Sequence, residues 1–188
     1  MNEANMVDGI DPADVWMQTT SGRRVHLLNP TPDEIDLGDI CTALSRLVRF
    51  TGHGIAPWTI AEHSCVVGEI VRRSTSDPIM MRTALLHDAT EAYIGDLSRP
   101  LKHALRVLGG NPSPLDVIEA ALWGAICERF DCHYVLPDLV KVADNQALGL
   151  EADELFGPGT RQAWGLPVHD PIDRHDTLLG KLAVWAAS

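Results

Sequence analysis

The middle of this chain is punctuated by helix-start signals, each followed by apolar residues recurring every three or four positions, and that pattern leaves few architectures open. Thr59 followed three residues later by Glu62 makes a capping box. Asp77-Pro78 and Ser113-Pro114 each set an N-cap side chain before a proline at the first helical position. Behind these starts come Ile60, Val66, Val67, Ile70 and Val71, then MMRTALL, then Ile118, Ala121, Leu122, Ala125 and Ile126. After Pro137, the residues Val140, Ala143, Ala147 and Leu148 fall on one side of a further helix. A helix with an apolar stripe is stable only when that stripe is covered, so several in succession predict an all-α bundle.

Two outer segments complete the expectation: LGDICTALSRLVRF (37–50), with Ile40, Ala43, Leu44 and Leu47 at helical spacing, and a last helix over about DTLLGKLAVWAA. The stretch IMMRTALLHDATEAYIG reads as one continuous helix from Asp77-Pro78 to Gly95. Residues 1–32 are polar and irregular, with SGRRVHLLNPTP reading as a short strand or extended segment packed on the bundle. No repeat or linker interrupts the series, so 1–188 is expected to be a single domain.

The net charge of -11 repels phosphate backbones and anionic lipid at long range, which argues against nucleic acid and membrane as partners. It does not argue against a small anionic substrate, because a metal and a few local cations can reverse the field inside one pocket. Cys41, Cys65, Cys127 and Cys132 form no CxxC pair, which disfavours a zinc ribbon or redox motif. The opening MNEANMVDGIDPADVW has neither a basic start nor an apolar core of leader length, and no apolar run reaches the roughly 20 residues of a membrane span. The expected location is the cytoplasm, or the host cytoplasm for a viral protein.

Within LLHDATEAY, His87 and Glu91 are four apart and Asp88 adjoins His87, so one helix presents three polar groups at the end of an apolar stripe. On the dipeptide alone, a core histidine satisfied by its neighbouring aspartate is the commoner arrangement. Asp144 alters the weighing, since it lies on the stripe of Val140, Ala147 and Leu148, where a carboxylate needs a partner or a cation. His63, in the first turn behind the capping box, is ambiguous by spacing. Two imidazoles with two carboxylates would make a mixed N/O site suited to transition ions more than to calcium.

At this point the residues resemble a known family. His63, the pair His87-Asp88 and the distant Asp144 are similar to the H…HD…D signature of the HD-domain phosphohydrolases, and LSRLVRF, IAEHS, ALLHDATEAYIGDLSRPLK and VKVAD occur in the order of its 5'-deoxynucleotidase branch. The likeness spans about residues 40–155 and extends to the phage-type dATP triphosphohydrolases of viruses that carry 2-aminoadenine. It implies an HD-type helical bundle in which His63, His87, Asp88 and Asp144 hold a divalent ion, Co2+, Zn2+, Mn2+ or Mg2+. It implies hydrolysis of a small deoxynucleotide, dATP to deoxyadenosine and triphosphate or, alternatively, phosphate release from deoxynucleoside monophosphates. A nucleotide-binding module without catalysis is the alternative from another class. A homo-oligomer, dimer or higher, is implied as well.

By the same resemblance Glu91 is the acid/base that, with Asp88, orients water, and Arg49 is the phosphate-binding arginine, otherwise a solvated surface cation. Asp96 would read the deoxyribose hydroxyl, with a turn-forming aspartate as the plain alternative, and Lys102 would bind phosphate. Phe50 stands where relatives place a tryptophan against the sugar or base. His53 and the histidines at 26, 103, 133, 169 and 175 are left outside the site.

Overall fold

The computed structural model describes residues 9–166, and its architecture is mainly α. Its helices are α1 (Leu37–Leu44), α2 (Ile60–Arg72), α3 (Pro78–Leu86), α4 (Glu91–Ile94), α5 (Arg99–Gly109), α6 (Pro114–Phe130), α7 (Asp138–Phe156) and α8 (Thr160–Ala163). The helix expected over 176–187 lies outside the described residues. No helix among the described residues is long and apolar enough to cross a membrane.

The three cap signals start helices where the sequence places them. Thr59 Oγ accepts from the Glu62 N–H at 3.2 Å while Glu62 Oε2 accepts from the Thr59 N–H at 2.7 Å, which fixes the first turn of α2. Asp77 caps α3, and Ser113 with Asp116 forms the same reciprocal box at α6.

α2 lies at the centre because it feeds two cores. Ile60 and Ala61 join Val25, Ile35, Ile40, Leu44, Leu86, Leu122 and Ile126 on one side. Val66, Val67 and Val71 join Trp58, Ala84, Val140, Ala143, Ala147 and Leu155 on the other, where α2 packs on α3 and α7. Each fully buried Val, Leu or Ile stabilises the fold by about 1.5–3 kcal/mol, so the two cores anchor α2 from both faces. Ala143 and Ala147 have no exposed surface, and their small side chains allow α7 to approach α2 closely.

Three expectations are corrected. β2 (Arg24–His26) falls within the stretch read as a short strand, but the chain before it is not irregular throughout: β1 (Trp16–Gln18) pairs antiparallel with it, Trp16 opposite His26, so the protein is mainly α and not all-α. Asp39 accepts hydrogen bonds from the Ser21 N–H and hydroxyl at 2.7 and 2.6 Å and ties the hairpin to α1. The segment 37–50 is helical only to Leu44; beyond it Val48 forms an isolated bridge with Thr59, and Phe50 and Thr51 adopt left-handed backbone at φ 57° and 54°. The predicted helix through Gly95 is broken, with α3 stopping at Leu86 and α4 starting at Glu91. There the Ala84 carbonyl, which a continued helix would offer to the Asp88 N–H, accepts from His87 Nδ1 at 2.8 Å, and the backbone tightens to Ala89→Leu86 and Glu91→Asp88 bonds. α5 has no counterpart in the sequence reading.

The Thr59 cap sets the start of the helix that carries His63. Thr59→Ala is expected to lower stability by about 1 kcal/mol in urea denaturation, with an unchanged slope; an unchanged midpoint would show that the two cores alone fix α2.

Candidate metal centre

His63, one turn into α2, is completely enclosed, and His87 at the end of α3 is nearly so, with rings 5.2 Å apart. The tautomers follow from the partners of Nδ1. His63 Nδ1 is 2.7 Å from Glu151 Oε1, and His87 Nδ1 is 2.8 Å from the Ala84 carbonyl. A carbonyl and an ionised carboxylate only accept, so both Nδ1 atoms carry a proton and, in the neutral rings, both Nε2 atoms present a lone pair inward. Neither Nε2 makes a hydrogen bond although both are buried.

Carboxylates converge on these two atoms. Asp144 Oδ1 lies 3.1 Å from His63 Nε2 and 4.0 Å from His87 Nε2, and Asp88 Oδ2 lies 3.5 and 3.3 Å from the same pair. The donors of His63, His87 and Asp144 all fall within 4.8 Å of one another, and the set can hold a metal ion. Ligands about 2 Å from a shared tetrahedral ion sit roughly 3–3.5 Å apart, so the separations need little adjustment. Buried imidazole nitrogens with no hydrogen bond fit a cation, and the N/O donor set fits a transition ion.

The electrostatics of the cluster agree with this reading. Burial and nearby Arg49 both act to lower the His63 pKa, yet Glu151 and Asp144 outweigh them and hold it at about 9. Burial works to raise Asp144 and Asp88, but the two imidazoles keep both below the usual carboxylate range. Without a cation, the carboxylates thus draw a proton onto the imidazole between them.

Arg49 is not a surface cation: its side chain is 11% exposed, with Nε 3.0 Å from Glu151 Oε2 and Nη1 3.5 Å from Asp88 Oδ2. Its place follows from the Val48–Thr59 bridge, in which the Arg49 N–H donates to the Trp58 carbonyl at 2.8 Å. The Arg49 guanidinium lies 5.3 Å from the centroid of Phe50, whose ring meets Phe156 at 5.2 Å and Trp164 at 6.2 Å. The Phe50 N–H bonds to Asp96, bringing that half-buried carboxylate beside Arg49.

A cavity of about 320 Å³ opens from the centre, lined by His87, Asp88, Thr90, Glu91, Lys102 and Glu119 among others. Glu91 is buried; desolvation, then the charges of Asp88 and Asp96, push its pKa up to about 9, so it carries a proton at neutral pH when no cation is near. Lys102 is already engaged, with Nζ 2.8 Å from Glu119 and 3.6 Å from Glu91. The fold therefore gathers His63, His87, Asp88, Asp144 and Arg49 into one cluster, with Glu91, Lys102, Asp96 and Phe50 around it. His26 pairs with Glu34 in the hairpin, His53 and His103 are exposed, and His169 and His175 lie outside the described residues.

Glu151 and Trp58 were missed. Glu151 is 2% exposed and accepts from Trp58 Nε1 at 2.9 Å as well as from His63. It stands seven residues after Asp144 and four after Ala147 on the stripe that singled Asp144 out, so the same argument would have found it.

These features define a mainly α protein in which His63, His87 and Asp144 form a cluster that could hold a cation, with Asp88 beside it. The chain belongs to the same family as the uncharacterized protein RCAP_rcc00048 of Rhodobacter capsulatus, to which it is 34% identical over 168 residues, 84% of this chain and 82% of the relative. It is also similar to the uncharacterized protein YfdR of Escherichia coli K12, 29% identical over 140 residues, 74% and 72% of the two chains. No family model matches the sequence.

Protein loaded with Co2+ or Mn2+ and desalted is expected to retain near-stoichiometric metal by plasma mass spectrometry, and His63→Ala to lose it while keeping its helical circular dichroism. Full metal content in a folded His63→Ala protein would contradict the assignment.

Proposed function

We propose that this protein is a metal-dependent phosphohydrolase of the HD type acting on a small deoxynucleotide, and that its substrate is dATP, hydrolysed to deoxyadenosine and triphosphate. The observation that carries the reading is the pair of buried Nε2 atoms without hydrogen bonds, facing Asp88 and Asp144 with the Arg49 guanidinium beside them. A divalent ion held by His63, His87, Asp144 and Asp88 supplies Lewis acidity toward a phosphate oxygen and toward water.

The residues supply the rest. Arg49 offers a planar fork to phosphate oxygens and is pre-oriented by Glu151 and Asp88. Glu91 lines the same cavity as His87 and Asp88, and in its protonated form it can give a proton to the departing oxygen. The resemblance gives Asp96, beside Arg49 and Phe50, the role of meeting a sugar hydroxyl. The support for dATP is the resemblance to the phage-type triphosphohydrolases.

A second reading, release of phosphate from deoxynucleoside monophosphates, is favoured by the charge around the centre. Arg49 and Lys102 are each already paired with two carboxylates, and a cavity of about 320 Å³ is at the small end for a nucleotide site. A monophosphate asks for less positive charge beyond the ion than a triphosphate does, and those two side chains leave little free. A panel of deoxy- and ribonucleoside mono- and triphosphates with Co2+ or Mn2+, followed by product chromatography, decides between them. Deoxyadenosine and triphosphate from dATP is the expected outcome. Phosphate from dAMP with dATP intact would establish the second reading, and no turnover of any nucleotide would remove both.

Glu91→Gln is expected to keep metal and fold while slowing turnover by about two to four orders of magnitude, the usual contribution of a positioned acid/base. Because glutamine has the shape of the protonated acid, undiminished turnover would reduce Glu91 to a packing role.

A further inference from the structure

We infer that Glu151 is a positioning residue that links the cation site to the phosphate site. Its action on the cation site rests on donor geometry, and its action on the phosphate site rests on the phosphohydrolase reading above. Each oxygen of this enclosed carboxylate has its own task. Oε1 accepts from His63 Nδ1 at 2.7 Å and from Trp58 Nε1 at 2.9 Å, and Oε2 lies 3.0 Å from Arg49 Nε.

The first oxygen determines what His63 can present. A carboxylate that accepts from Nδ1 fixes the tautomer with its lone pair on Nε2, the atom 3.1 Å from Asp144 and 3.5 Å from Asp88. Turning the ring over would leave the buried Nδ1–H without its acceptor and Oε1 with the Trp58 donor alone, so hydrogen bonding holds this orientation. His87 is oriented by a different device, a neutral backbone carbonyl. A bond to a charged acceptor is the stronger of the two, and only His63 has its donor strength set by a replaceable side chain.

The second oxygen aims Arg49. The contact to Nε is an ion pair at 3.0 Å rather than a hydrogen bond, and with it the guanidinium brings Nη1 to 3.5 Å from Asp88 Oδ2, at the edge of the cation site. Because both oxygens belong to one rigid group on α7, which also carries Asp144, the cation donors and the phosphate-facing arginine keep a common reference.

The test is Glu151→Gln, which keeps the shape, loses the charge and one of the two acceptor oxygens, and turns an amide N–H toward Arg49 or His63. Zinc affinity, measured by competition against a chelating dye, is expected to fall about 10–100-fold, as for other partners of metal-bound histidines, and the visible spectrum of the Co2+ form to change. With the ion saturating, inorganic phosphate should bind more weakly than to the wild type. Trp58→Phe, which removes the third donor to Glu151, should leave both affinities unchanged. A folded Glu151→Gln protein with wild-type zinc affinity overturns the inference, whatever its turnover. Weakened zinc binding in a family of proteins that hydrolyse no phosphoester would support the cation half and sink the phosphohydrolase reading instead. Should Glu151→Gln fail to fold, nitrogen-15 NMR of the zinc-loaded wild type decides: Nε2-bound His63 with its proton on Nδ1 supports the inference, and zinc on Nδ1 overturns it.

Discussion

One imidazole with no exposed surface is held at both nitrogens by carboxylates of a single helix, and the rest of the centre depends on that grip. Asp144 and Glu151 are seven residues apart on α7, about 10 Å along its axis, and they reach the two edges of the His63 ring. For this to happen α7 must lie close against α2, which the small buried side chains of Ala143 and Ala147 permit. The same carboxylate then recruits Arg49, carried in by the bridge between Val48 and Thr59.

Such a cluster is a poor way to stabilise a fold. Charges taken out of water cost several kcal/mol each, and the mutual attraction of buried pairs seldom does more than offset that cost. The two apolar cores on either side of α2 carry the stability, and the cluster lies between them with several buried polar atoms that make no hydrogen bond. Its acidic groups attract a cation, while the chain as a whole, at -11, repels anions from a distance. On the proposed phosphohydrolase reading, recognition of a phosphate would therefore be local, through Arg49 and a bound ion.

The helix starts were legible because their signals are local: a cap side chain, a proline at the first position, and an apolar period immediately behind. Asp144 and the His87-Asp88 pair stood out as polar groups on or beside an apolar stripe, whereas His63 was ambiguous by spacing and was named only through the resemblance to the H…HD…D signature. What was not legible depended on contacts distant in sequence. The break after Leu86 arises from His87 bending back to the Ala84 carbonyl, a choice that helical periodicity does not register. α5 shows why periodicity alone is insufficient: it begins at an Arg-Pro pair that also reads as a turn, and it buries none of its residues fully. Lys102, read as a free phosphate ligand, is tied to Glu119 on α6, a pairing visible only once the two helices are side by side. Glu151 was overlooked for want of applying to it the argument already applied to Asp144.

The account stands or falls on whether the inward Nε2 atoms hold an ion. Crystals of the protein soaked in Mn2+ and measured for anomalous scattering should show one strong peak bonded to Nε2 of His63 and His87 and to carboxylate oxygens of Asp144 and Asp88. A cluster without an anomalous peak in manganese-saturated crystals, with His63 still clasped between Asp144 and Glu151, would contradict it.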